Sequence, residues 1–155
     1  MRLLIATVLA AATVLPLHFP GANGWHDGSM RARACVGAAA SRCTEAWSWT
    51  STSAWKGTAL RTARALPTNG VVISTYIVNE HPVKATRQVA WPVKIDPSRI
   101  TGGLEGVPSR IGVYQLFGSL GNGTEINLVV YFGQAQPTAA QVARANARLA
   151  SARLG

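Results

Sequence analysis

Acidic side chains are scarce in this chain. Six Asp and Glu stand against fifteen Lys and Arg among 155 residues, leaving a formal charge of +9. Histidine is scarcer still, with His18, His26 and His81 the only three. General acid–base chemistry needs a carboxylate or imidazole within hydrogen-bond reach of the reacting proton, so few catalytic arrangements are open and an enzyme is disfavoured. No Gly-x-Ser-x-Gly elbow occurs. A Ser-His-Asp triad downstream of residue 24 would have to use His26 or His81. The glycine-rich stretch Gly102-Gly103-Leu104-Glu105-Gly106 lacks the Lys-Ser/Thr that follows a phosphate-binding loop. The two cysteines have no nearby histidines to complete a zinc site. No metal and no cofactor is expected.

Dense basic runs are missing too. The tightest clusters are Arg31-Ala32-Arg33 and Arg61 with Arg64. A nucleic-acid surface usually interleaves denser basic runs with aromatics, so nucleic acid is disfavoured as a partner. Arginine supplies twelve of the fifteen cations. GC-rich codon usage produces that bias as readily as selection for an anionic partner does.

What is present fits one small domain: 155 residues, 48% of them apolar, enough for a core. Arg2 precedes an apolar run over residues 3–15, broken only by Thr7 and Thr13 and followed by Pro16 and Pro20. Its length, about 13 residues, suits the apolar region of an export signal and falls short of the roughly 20 that span a bilayer. Ala22-Asn23-Gly24 offers small residues for cleavage before Trp25, so residues 1–24 read as a signal peptide. Ala32-Arg33-Ala34 before Cys35 is a second small-x-small site, far from the apolar run. The expected location is secreted or extracytoplasmic, with membrane attachment only through an uncleaved segment over residues 3–17.

Outside the cytoplasm, Cys35 and Cys43 favour a disulfide. Residues 25–45 read as an N-terminal loop or helix, and the two forms compete. Eight residues along a helix span about 12 Å, beyond the roughly 7 Å allowed between bridged Cα atoms. Gly37 and Ser41 weaken the helix and tip the balance toward the bridge. Residues 46–155 read as a single domain. His26-Asp27 belongs to a flexible start in this reading.

Trp47 and Trp49 alternate with small polar residues and Trp55 follows on the same phase, as in an extended segment. Residues 56–66 suit a short helix ended by Pro67, with Asn69-Gly70 a turn. Residues 71–78 form the strongest strand, apolar on both faces and hence central. Residues 88–95 alternate as a further strand, with Pro92 at an edge or bulge. Residues 111–117 and 125–132 form a hairpin through Gly121-Asn122-Gly123. Thr138 and Gln141 make a capping box for a C-terminal helix. Its inward stripe is Val142, Ala145, Leu149 and Ala152, with Arg144 and Arg148 outward. The fold class is α+β: an antiparallel sheet of four to five strands covered by the C-terminal helix, with a short helix before the first core strand.

Several stretches carry a resemblance: residues 65–73, Gly103-Leu104-Glu105-Gly106-Val107-Pro108, residues 110–114, Val130-Tyr131-Phe132-Gly133 and residues 137–146. Over about two thirds of its length the chain resembles a group of small, functionally uncharacterised exported proteins of high-GC bacteria. The resemblance implies export and a single domain, and carries no catalytic residue with it. The closing strand, turn and helix also resemble the end of Mog1/PsbP-type α/β/α sandwiches, a likeness of fold and not of function.

Three local features could carry function. Trp47, Trp49 and Trp55 could stack on sugar rings, or roof the core as large aromatics commonly do. Glu105 sits among glycines that allow close approach to a ligand or simply a mobile loop. Glu80-His81 could pair as acid and base, but adjacent strand residues point to opposite faces and Pro82 marks a turn. The leading expectation is a non-enzymatic exported domain binding an envelope polymer or envelope protein. The alternatives are a carbohydrate-binding module using the Trp face, and a polysaccharide or cell-wall hydrolase using Glu105 or Glu80.

Overall fold

The β-branched and aromatic stretches pair into one antiparallel sheet, because each has a face that only a neighbouring strand and a covering layer can take out of water. In the computed structural model, which describes residues 16–39, 42–80 and 87–154, the strands are β1 (Leu17–His18), β2 (His26–Ala34), β3 (Cys43–Ser51), β4 (Val71–Glu80), β5 (Gly112–Gly121), β6 (Thr124–Phe132) and β7 (Arg153–Leu154). The helices are α1 (Ala59–Arg64) and α2 (Ala139–Ser151). Five strands run β2-β3-β4-β6-β5 with every neighbour antiparallel, and β1 and β7 form a separate two-stranded ribbon. The fold is α+β, with β4 central as its two-sided apolarity requires. Among the described residues no helix is long and apolar enough to cross a membrane.

The inner face of the sheet carries the main core. Ile73 and Ile77 on β4, Tyr114 and Leu116 on β5, and Ile126, Leu128, Val130 and Phe132 on β6 meet Val142, Ala145, Leu149 and Ala152 of α2. That stripe is the one read from the sequence. The capping box forms as expected, with Thr138 accepting from the Gln141 amide and Gln141 reaching back to the Thr138 amide. The β5–β6 turn is Gly121-Asn122-Gly123, all three at positive φ, which glycine takes without strain and asparagine tolerates.

Three expectations change. Arg148 does not point outward: it is 4% exposed, beneath the sheet. Its Nε donates to Thr50 Oγ1 at 3.0 Å, its Nη1 to the Pro20 carbonyl at 2.7 Å, and its Nη2 pairs with Asp27. Asp27, read as part of a flexible start, therefore lies on β2 as the counter-charge of a buried guanidinium. Residues 88–95 do not extend the sheet. A single bridge joins Gln88 to Ser119, and the Trp91–Pro92 peptide is cis. Pro92 has no amide to continue a ladder, so the segment crosses the core as a strap. Val93 and Ile95 are buried, and the Ile95 amide donates to Asn146 Oδ1 at 2.7 Å.

Strands β2 and β3 form a hairpin tied by the Cys35–Cys43 disulfide, with Cα atoms 5.5 Å apart. The bridge excludes a continuous helix, as its geometry demands. The β2–β3 register shifts between Met30 and Arg33. Residues 17–24 also belong to the fold. Leu17 is 1% and Phe19 5% exposed, both in the main core. Burying each contributes about 1.5–3 kcal/mol.

One glycine fixes the join between β6 and the α1–β4 turn. A Cβ on Gly133 would stand 1.8 Å from the Pro67 carbonyl oxygen. Neither backbone is free to retreat, since the Gly133 amide donates to Gly70 at 2.9 Å and Arg110 Nη1 donates to the carbonyls of Leu66 and Gly133. Gly133→Ala is expected to cost about 3 kcal/mol, read as a fall in the urea midpoint at unchanged slope. Gly21→Ala, with open space around its Cβ, should stay within about 0.5 kcal/mol of the parent.

Candidate functional site

Alternation along β3 sends Ala46, Ser48 and Thr50 inward and Trp47 and Trp49 to the opposite, outer face of the sheet. Helix α1 covers only one end of that outer face, where Ala63, Leu66 and Val72 pack with Trp55 and Tyr131. Among the described residues, nothing covers the rest of the face. Met30 on β2 is 52% and Phe117 on β5 55% exposed.

The three tryptophans proposed from the sequence come together here, held by neighbours the sequence did not reveal. Trp49 lies flat on the backbone of Gly28, where a Cβ would come within 2.4 Å of the indole. Trp55 stacks on Trp49 at 4.1 Å with an interplanar angle of 7°. Trp55 arrives from the loop after β3, which is pinned by Ser53 N donating to Ser51 Oγ and Lys56 N donating to Thr62 Oγ1. Trp47 packs against Tyr76 of β4 at 4.5 Å, and the Arg33 guanidinium sits 5.1 Å from its ring centre.

Glu45 ties this group together. Its buried carboxylate accepts from Arg33 Nε at 2.9 Å and from the Tyr76 hydroxyl at 2.6 Å. Desolvation, reinforced by that hydrogen bond and by the carboxylate's charge, pushes the Tyr76 hydroxyl from 10.0 up to about 12. Burial alone raises Tyr131 on β6.

Two hollows adjoin across this face. The larger, about 390 Å³, is bordered by Met30, Arg33, Trp47, Trp49, Trp55 and Thr58, among others. The smaller, about 270 Å³, is lined by Trp47, Ser74, Tyr76, Asn127 and Val129. Trp47 and Ser74 border both. Asn127 Oδ1 is a buried acceptor with no hydrogen-bond donor among the described residues, and such a group is costly to leave unmatched. The surface thus offers ring edges and apolar walls, a guanidinium and a hydroxyl, with the Asn127 side chain in one wall.

The other sequence candidates lie elsewhere. Glu105 is exposed on a loop held by Arg64 Nη2 donating to the Gly106 carbonyl at 2.6 Å, and borders neither hollow. Glu80 ends β4 opposite Cys43 and borders neither hollow either. His81 falls outside the described residues, so the Glu80-His81 pair does too. No group of three His, Cys, Asp or Glu able to hold a metal occurs among the described residues. Gly28, Arg33, Glu45, Tyr76 and Asn127 were missed. A signal for one pair existed: bridging Cys35 to Cys43 implies a hairpin, and that hairpin sets Arg33 across from Glu45.

Comparison of the chain with protein-family models, curated proteins and solved structures finds no match.

The Tyr76–Glu45 contact has a pH signature. A hydroxyl raised on folding favours the protonated native state, so its contribution is complete below about pH 10 and fades as pH climbs toward 12. In a tyrosinate absorbance titration, Glu45→Gln should lower the step near 12 part of the way toward 10, since desolvation, the largest cause, remains, and should leave the raised Tyr131 step in place. An unchanged titration would show that Glu45 does not act on Tyr76.

Proposed function

We propose that this chain is a non-catalytic exported domain that holds an extracytoplasmic glycan chain across the outer face of its sheet. The observation that carries the reading is the pair of adjoining hollows sharing Trp47. A glycan presents apolar C–H patches beside hydroxyls. Trp47, Trp49, Trp55 and Tyr76 match the first, and Arg33, Ser74 and the Asn127 side chain match the second. Adjoining hollows suit a chain better than a single sugar. The Cys35–Cys43 disulfide supports an extracytoplasmic setting.

Binding is favoured over cleavage. Glycoside hydrolysis ordinarily needs two carboxyl groups flanking the bond, about 5–9.5 Å apart. The one carboxylate set into this group is Glu45, already engaged by Arg33 and Tyr76. With that engagement, attraction by net charge has a small part in the reading.

Titration of tryptophan fluorescence with soluble cell-wall and plant oligosaccharides tests it. A saturable shift is expected, weakened about tenfold in Trp47→Ala, which corresponds to about 1.4 kcal/mol. Asn127→Ala should also weaken it, with the circular dichroism of both variants unchanged. Raising salt from roughly 0.1 to 0.5 M should leave the affinity within about twofold, because the contacts are apolar and hydrogen-bonding, whereas attraction between exposed charges would be screened and the affinity would fall further. No shift at millimolar sugar, or equal binding by Trp47→Ala, sinks the glycan reading. A shift produced only by a protein or peptide from the envelope would replace the occupant and keep the face.

A further inference from the structure

The expected signal segment, residues 1–24, and the folded domain overlap. Leu17 and His18 pair with Leu154 and Arg153. Leu17 and Phe19 lie in the main core beside Leu149 and Ala152. The Pro20 carbonyl accepts from Arg148 Nη1 at 2.7 Å, and the Arg148 guanidinium lies 5.4 Å from the centre of the Phe19 ring. The turn that follows is closed by the Trp25 amide donating to the Ala22 carbonyl at 3.1 Å.

Cleavage before Trp25 would remove two buried core side chains, the ribbon partner of the C-terminus and one of the acceptors of a buried guanidinium. Large-to-small losses in a core are among the most damaging single-site changes. Cleavage before Cys35 would also remove β2. Asp27 would leave with it, stranding the Arg148 charge beneath the sheet, and Trp49 would lose the Gly28 surface on which it rests. Both sites picked out by small-residue spacing therefore cut through the domain.

We infer that residues 17–24 stay with the exported domain, so that neither the bond before Trp25 nor the bond before Cys35 is the one a leader peptidase cuts. This inference rests on export and is independent of what the outer face binds.

The test is expression of the full chain in a bacterium, recovery of the extracytoplasmic form, and its intact mass with N-terminal sequencing. A first residue at or before Leu17 is expected, and Ala22→Leu should leave it where the parent has it. A start downstream of Leu17, at Trp25 or Cys35 above all, overturns the inference. In the exported form, Phe19→Ala should lower the urea midpoint, and an unchanged midpoint would show that residues 17–24 are dispensable to the fold. None of these readouts depends on glycan, so a failed titration leaves them standing.

Discussion

The guanidinium of Arg148 stands where four parts of the chain meet. It rises from α2 under the sheet, pairs with Asp27 of β2, takes Thr50 of β3 as acceptor and holds the carbonyl of Pro20 from the segment ahead of β2. Thr50 in turn donates to Asp27, so the carboxylate is met by both groups. A buried ion pair of this kind is weak as net stabilisation, but removing either partner leaves an uncompensated charge. Its effect is to fix register. Asp27 and Gly28 are neighbours on one strand and point to opposite faces. Locking Asp27 below the sheet sets Gly28 beneath Trp49 above it. The candidate ligand face is thereby referenced, through one residue step, to the packing of the C-terminal helix.

Local signals in the sequence reported the elements that are local in nature. The β5–β6 hairpin follows from Gly121-Asn122-Gly123 between alternating apolar residues, and α2 from its capping box and stripe. The central place of β4 follows from apolarity on both faces. Arg148 was misjudged because helical periodicity places it at the border of the apolar stripe. What draws it inward is Asp27, 121 residues away. Residues 88–95 have a strand's alternation, yet the same alternation serves a strap that buries Val93 and Ile95 without a ladder. Residues 17–24 were assigned to a leader by composition, and only the ribbon with residues 153–154 shows why Leu17 and Phe19 are apolar.

The site was half legible. Period-two spacing put Trp47 and Trp49 on one face, and the structure adds Trp55 by folding a loop back over Trp49. Arg33, Glu45 and Tyr76 come from three strands and meet only through register, which no single-segment pattern encodes. Glu105 drew attention because glycine surrounds it. The positive φ of Gly103 and Gly106 accounts for those glycines as loop geometry.

The register shift between Met30 and Arg33 bears on the chain's behaviour in company. Strand β2 is one of the two edge strands of the large sheet, β5 being the other, and its far side is unpaired within it. A regular edge nine residues long would invite another copy to add a strand. The irregularity interrupts the spacing of outward amides and carbonyls, and Arg31 brings a positive charge to the same rim. A second molecule approaching in the same way would meet mismatched hydrogen-bonding groups and mutual repulsion. The domain can thus leave an aromatic surface open to solvent without its neighbouring edge seeding aggregates.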